Sequence, residues 1–142
     1  MNDDTILMVI LMFIHEIIGI FKEKNQTLLV LESGKKIIIP ILPVQFIKSF
    51  KNHLLFPSYH LHYKLPFQFF YTWLQPTYSI QNQDCEFINL FKVLKIVQKD
   101  QGCLLFFQNY TRFIPLSSKR MYQSLKKNVS YKLRISFHLD LI

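Results

Sequence analysis

The chain contains no alanine and only three glycines. Alanine is the strongest helix former, so its absence beside many Ile, Phe and Tyr residues weighs toward β-structure. With so little glycine there is no Gly-rich loop to cradle a phosphate. Two cysteines, Cys85 and Cys103, are too few for a disulfide framework. Each adjoins an apolar run and reads as a reduced core thiol in a reducing compartment. The apolar stretch Ile6–Ile14 is stopped by His15 and Glu16, well short of the ~20 residues that span a bilayer. The opening Met-Asn-Asp-Asp lacks the basic start of a signal peptide and the acid-poor, Arg/Ser-rich character of a transit peptide. Acidic residues number nine and are scattered, with no paired-carboxylate spacing and no Ser, Cys or Thr in a nucleophile motif. A non-enzymatic chain without a cofactor is therefore expected.

What is present is apolar and basic. A length of 142 residues fits one ordinary domain, or two very small ones sharing a core. Half the residues are hydrophobic and 15% aromatic, which excludes a disordered chain. Ile, Phe, Leu, Lys, Asn and Tyr dominate, and Lys far exceeds Arg. These residues use AT-rich codons, which points to an organelle, endosymbiont, parasite or phage genome. The formal charge of +8 is uneven, because Thr111 to Arg134 holds many Lys and Arg and no acid. That imbalance favours a polyanion or an anionic surface as partner, with simple solubility as the plainer explanation.

The sequence also echoes itself. Ile17 to Ile38 can be laid without gaps on Val93 to Ile114, apolar on apolar, with Leu28–Leu31 falling on Leu104–Phe107. One residue of slippage then aligns Pro40 with Pro115, and Phe46–Asn52 with Met121–Lys127. Two similar β-rich units, or two hairpins of similar length, account for the match. In the first, Ile6–Phe21 reads as one long strand bent at Gly19, or as a helix followed by a strand. Thr27–Glu32 and Lys35–Ile41 form a hairpin about Ser33-Gly34, and Val44–Asn52 a short helix. An aromatic centre runs over 53–80, cut by Pro57, Pro66 and Pro76, and Gln81–Asp84 is the candidate boundary between 1–80 and 85–142. In the second unit, Glu86–Gln98 fits a long curved strand, and also a helix. Cys103–Phe107 and Tyr110–Leu116 make a hairpin. Ser117 or Ser118 caps a short helix through Lys126. From Tyr131 the apolar residues Leu133, Ile135, Phe137, Leu139 and Leu141 alternate with polar ones, the mark of a half-buried strand.

Strand, hairpin, helix and final strand over 85–142 resemble an OB fold, and the first half resembles it less completely. The resemblance implies a small closed barrel that binds single-stranded nucleic acid through aromatic stacking and basic groups. Gly19 suits the bend in the first strand that such barrels need, whereas the counterpart position carries Lys95. In composition and size the chain also resembles small proteins encoded in algal plastid genomes, which implies the plastid (chloroplast) stroma. The cytoplasm of an AT-rich organism is the alternative.

Three constellations offer chemistry. Lys119, Arg120, Lys126, Lys127, Lys132 and Arg134 form a basic candidate for phosphate contact, the last two on the wet face of the final strand. Phe67, Phe69, Tyr71 and Trp73 alternate and so share one strand face, either a stacking platform or, with more weight, a core face. His60 and His62 also share a face, with His53, Cys85 and Glu86 as remote partners, but they lack metal-ligand spacing and no metal is expected. The expected architecture is mainly β, OB-like, with two short helices and the echo as its internal repeat. The expected function is a binding module for single-stranded nucleic acid. The alternatives are a protein-interaction or assembly factor docking through the apolar N-terminus or an edge strand, a peripheral membrane protein, and a reading frame without selected function.

Overall fold

The computed structural model describes residues 3–50, 54–55, 64–70 and 72–140. Helix α1 (Asp3–Phe13) runs through a 3₁₀ turn (Ile14–Glu16) into strand β1 (Ile17–Glu23), so the N-terminal apolar stretch is helix followed by strand. The Thr72 hydroxyl donates to the Ile14 carbonyl at 2.8 Å and satisfies an acceptor that the helix end leaves free. Strands β2 (Gln26–Leu31) and β3 (Lys36–Ile39) complete an antiparallel meander with β1. Its second turn closes with Gly34 N–H on the Leu31 carbonyl, and Gly34 takes the left-handed conformation there, φ +92°. Pro43 opens helix α2 (Pro43–Ser49), where its fixed φ suits the first turn and its missing N–H is no loss. The Gln45 side chain accepts from the Leu42 N–H in front of it.

Strands β4 (Leu54–Leu55), β5 (Phe67–Phe69), β6 (Thr72–Pro76) and β7 (Phe87–Ile88) follow. They join the meander in a seven-stranded antiparallel sheet of order β3-β2-β1-β7-β6-β5-β4. β7 follows the polar Gln81–Asp84 segment yet sits between β1 and β6, so the two halves of the chain share one sheet. A second, three-stranded sheet holds β8 (Lys95–Lys99), β9 (Gly102–Phe107) and β10 (Tyr110–Ile114) in the order β10-β9-β8. The single strand expected over Glu86–Gln98 is broken by Asn89. Its Oδ1 accepts from Phe91 N–H at 3.1 Å and its Nδ2 donates to the Ile17 carbonyl at 3.2 Å, starting a 3₁₀ turn (Leu90–Lys92) between the sheets.

Strands β1 and β2 are buried on both faces, which is why they read as continuous apolar runs. One face, with Ile17, Ile20, Leu29 and Leu31, packs against Ile39, Phe46, Ile47, Phe67, Phe69 and Phe87. The other, with Ile18, Phe21, Leu28 and Val30, packs against Cys103, Leu105, Phe107, Ile114 and Met121. A bulge allows this division. Ile17 pairs with Leu31 but Gly19 with Val30, so Ile18 and Phe21 reach the same layer. The extra residue of the bulge is Ile18, and the Phe21 ring folds back over Gly19 beside it, 2.1 Å from where a Cβ would sit.

The echo is a repeated order of elements. The alignment lays β1, β2 and β3 on β8, β9 and β10, and the slipped register lays the start of α2 on the start of the last helix, Phe46 on Met121. Barrel closure is not part of it: the two sheets are open. The residues from Tyr131 that an OB-like barrel would need as its closing strand belong to helix α3 (Ser118–Asp140), so the described chain has three helices rather than two short ones. After Pro115 no Pro or Gly interrupts the sequence. Once the first turn has formed, each further residue adds a hydrogen bond, and the helix runs on through the alternating segment. The buried and half-buried positions Met121, Ser124, Leu125, Asn128 and Tyr131 follow helical spacing, while Leu133 stands 63% exposed.

Candidate nucleic-acid interface

Helix α3 begins where Ser117 Oγ accepts from Arg120 N–H at 3.2 Å, and Gln98 Oε1 accepts from Ser118 N–H at 2.9 Å. The helix packs on β6, β8 and the 3₁₀ turn between the sheets. Met121 supplies the apolar anchor of this contact. Asn128 supplies a polar one: its Nδ2 donates to Gln75 Oε1 on β6 at 2.8 Å and to the Ser124 carbonyl at 2.7 Å. Gln75 in turn donates to the carbonyls of Lys64 at 3.1 Å and Pro76 at 3.0 Å. Both amides are buried, and Asn128 Oδ1 has no partner among the described residues.

With this side pinned down, the basic residues sort by helical angle. At roughly 100° per residue, Lys119, Arg120, Lys126, Lys127 and Arg134 fall within a sector of about 120° opposite Met121 and Asn128. All five are exposed. Lys132 is the exception. Strand pairing would have put it beside Arg134, but on a helix two residues diverge by about 200°. Lys132 Nζ instead lies 4.6 Å from the centre of the Phe91 ring, whereas Arg134 lies over Tyr131. None of the six forms an ion pair among the described residues.

Four acids elsewhere pair with other cations, Glu23 the most loosely, at 3.9 Å from Arg112. Asp84 holds Lys22 at 2.5 Å and Glu32 holds Lys92 at 2.7 Å. Glu86, nearly buried, is paired with Arg112, which also donates to the Lys22 carbonyl at 2.8 Å and lies on the Phe21 ring. Burial pushes the Glu86 carboxyl above its ordinary value, and Arg112 and the Lys22 N–H offset only part of that. This pair ties β10 to the residue before β7, with the Lys22 carbonyl of β1 held alongside, and was not marked in the sequence, where Glu86 and Arg112 stand far apart. Among the described residues, then, Lys22, Lys92 and Arg112 have acidic partners and the α3 cations have none.

Between α3 and the end of β6 lies an open cleft of about 230 Å³. Arg120, Ser124 and Lys127 line it from the helix, Gln75 and Thr77 from the sheet, and Lys64 from the segment before β5. Lys64 was no part of the basic cluster read from sequence. It is one lysine in an aromatic stretch, and only the Gln75 hydrogen bond to its carbonyl brings it here.

The aromatic alternation does not form one strand face: β5 and β6 are two strands of a hairpin, and Trp73 pairs with Gln68, on the face opposite Phe67 and Phe69. Phe67, Phe69 and Trp73 are buried, and Tyr71 lies outside the described residues. Cys85 and Cys103 are buried free thiols, and burial pushes that of Cys85 up to about 11. His53, His60 and His62 lie outside the described residues, and among the described ones no group of three His, Cys, Asp or Glu side chains is placed to hold a metal ion. No helix among the described residues is long and apolar enough to cross a membrane.

These features define a two-sheet antiparallel β protein, flanked by helices, with one cationic helix face. No family model, curated protein or solved structure matches the chain.

Proposed function

We propose that the chain is a non-enzymatic nucleic-acid-binding module that holds the phosphate backbone along α3. The observation that carries this reading is the acid-free, unpaired cation face of Lys119, Arg120, Lys126, Lys127 and Arg134, opposite the packed side of the helix. From Lys119 to Arg134 it extends over about 22 Å, enough for several consecutive phosphates. Single strands remain the favoured ligand, and charge rather than stacking supports the reading, since Phe67, Phe69 and Trp73 are buried. Composition supports the plastid stroma as the setting, and the cytoplasm of an AT-rich organism after it.

The test is fluorescence anisotropy of labelled single- and double-stranded oligonucleotides across a salt series, with folding checked by circular dichroism. A log affinity that falls linearly with log salt supports the reading. No binding by the folded protein at low salt rejects it.

A second reading rests on α1, where Met8, Leu11 and Met12 share a helix face and are 63%, 56% and 68% exposed. It makes the protein an assembly factor docking a partner through that face, or a peripheral membrane protein. Glutamate at Met8 and Met12 then abolishes self-association or vesicle flotation, while leaving oligonucleotide binding untouched.

A further inference from the structure

We infer that the cleft between β6 and α3 is a binding site for a phosphomonoester, the group carried by a nucleic-acid end or a mononucleotide. On nucleic acid this rests on the reading above; for a free mononucleotide it stands apart from it. Three cations, Lys64, Arg120 and Lys127, line the cleft, no acid does, and none of the three forms an ion pair among the described residues. Lys64 comes from outside α3, so the cations that line the cleft belong to two separate segments of the chain. The backbone of Lys64 is fixed by Gln75, which is itself fixed by Asn128, and both amide hydrogens of Gln75 are used in holding the wall. Gln75 is therefore a positioning residue. The donors free to meet a ligand are the cations, Gln123 and Ser124.

Size and charge select the ligand class. At about 230 Å³ the cleft is smaller than the usual 300–1,000 Å³ of small-molecule pockets. It suits a phosphate with part of its sugar. A backbone diester carries one negative charge and continues as a chain on both sides, which a concave site does not favour. A monoester carries about −1.5 to −2 at neutral pH and has a free end with three strong acceptors. An arginine and two lysines match that charge, and the guanidinium binds such oxygens in pairs.

The experiment compares one oligonucleotide sequence bearing a 5′-phosphate, a 3′-phosphate or hydroxyl ends, and adds a nucleoside monophosphate and inorganic phosphate as competitors. The wild-type protein is expected to bind one phosphorylated form roughly tenfold more tightly than the hydroxyl form, as loss of a charge-assisted contact would predict. K64Q should abolish that preference while leaving hydroxyl-ended binding within about twofold, because Lys64 lies off the α3 face. If no oligonucleotide binds but the monophosphate does when titrated directly by calorimetry, and K64Q weakens it, the module reading fails and the cleft assignment stands. If inorganic phosphate competes as well as the monophosphate, the site reads the phosphate alone. Equal affinity for all three ends, with neither competitor effective, overturns the assignment. So does an end preference that K64Q leaves intact.

Discussion

Replacing Lys126 and Lys127 by glutamine tests the geometry of α3 as well as its charge. Both side chains are exposed and without an acidic partner, so the substitutions should change folding stability by no more than about 0.5 kcal/mol. Five cations share their face of the helix. If each meets one phosphate, the plot of log affinity against log salt has a slope of about −3.5 for single strands and −4.5 for duplex. Losing two contacts flattens the single-strand slope by ~1.4, which at 0.1 M salt weakens binding roughly 25-fold. Arg134→Gln should flatten it by ~0.7. Lys132→Gln should leave the slope unchanged, because that side chain lies over Phe91 on another side of the helix. A strand would have paired Lys132 with Arg134 and made the two variants equivalent. The assay is anisotropy with one labelled single-stranded oligonucleotide across a salt series. An unchanged slope for the double variant, or equal slopes for K132Q and R134Q, refutes the reasoning.

Other consequences concern the fold. Gly19→Ala drives a Cβ into the Phe21 ring, which Phe107, Tyr110 and Arg112 hold in place, and should cost about 1–3 kcal/mol in urea unfolding; adding Phe21→Leu should recover part of it, and strict additivity would exclude the clash. Leu133→Glu should shift the unfolding free energy by less than about 0.5 kcal/mol, whereas a buried strand position would lose ~2 kcal/mol or more. Glu86 has a raised folded-state value, so between the ordinary carboxylate range and that value the folded chain keeps a proton that the unfolded chain releases. Stability should therefore decline as pH rises through that interval, and E86Q should flatten the decline; a slope that E86Q leaves unaltered would show another group responsible. Glu86→Ala strands Arg112 against the core and should cost ~3–5 kcal/mol, read from urea midpoints.

Where structure depends on neighbours a few residues away, it was legible. The Ser33-Gly34 turn, the short helix read from Val44 and the apolar runs of β2 and β9 each follow from local sterics or from burial on both faces. The echo was legible for the same reason, since two meanders leading into a helix need the same spacing of apolar runs and turns. Asn89 left a weak signal: a polar residue inside the apolar Phe87–Leu90, whose side chain competes with the strand ladder.

The alternation from Tyr131 was misleading because period two does not exclude a helix when no Pro or Gly stops the preceding one. Propagation from an established turn outweighs a local strand preference. The same error distributed the cations wrongly, because side-chain direction differs by about 180° per residue on a strand and 100° on a helix. Pairing of Arg112 with Glu86, and the meeting of Lys64 with Arg120 and Lys127, could not be read from the chain at all. These contacts join elements distant in sequence, and no local pattern encodes which residues a sheet order brings together.

Composition and local pattern were enough to make this chain β-rich, with apolar surface sufficient for a core and its excess positive charge near the C-terminus. Turn chemistry, hydrophobic runs and composition are properties of short segments. Long-range packing settles that the two meanders build two sheets rather than a barrel, that five of six cations share one exposed helix face, and that a lysine from the aromatic segment lines a cleft with two of them. Those outcomes depend on packing energies summed over the whole fold, chiefly the double-sided burial of β1 and β2 and the seating of α3 through Met121 and Asn128.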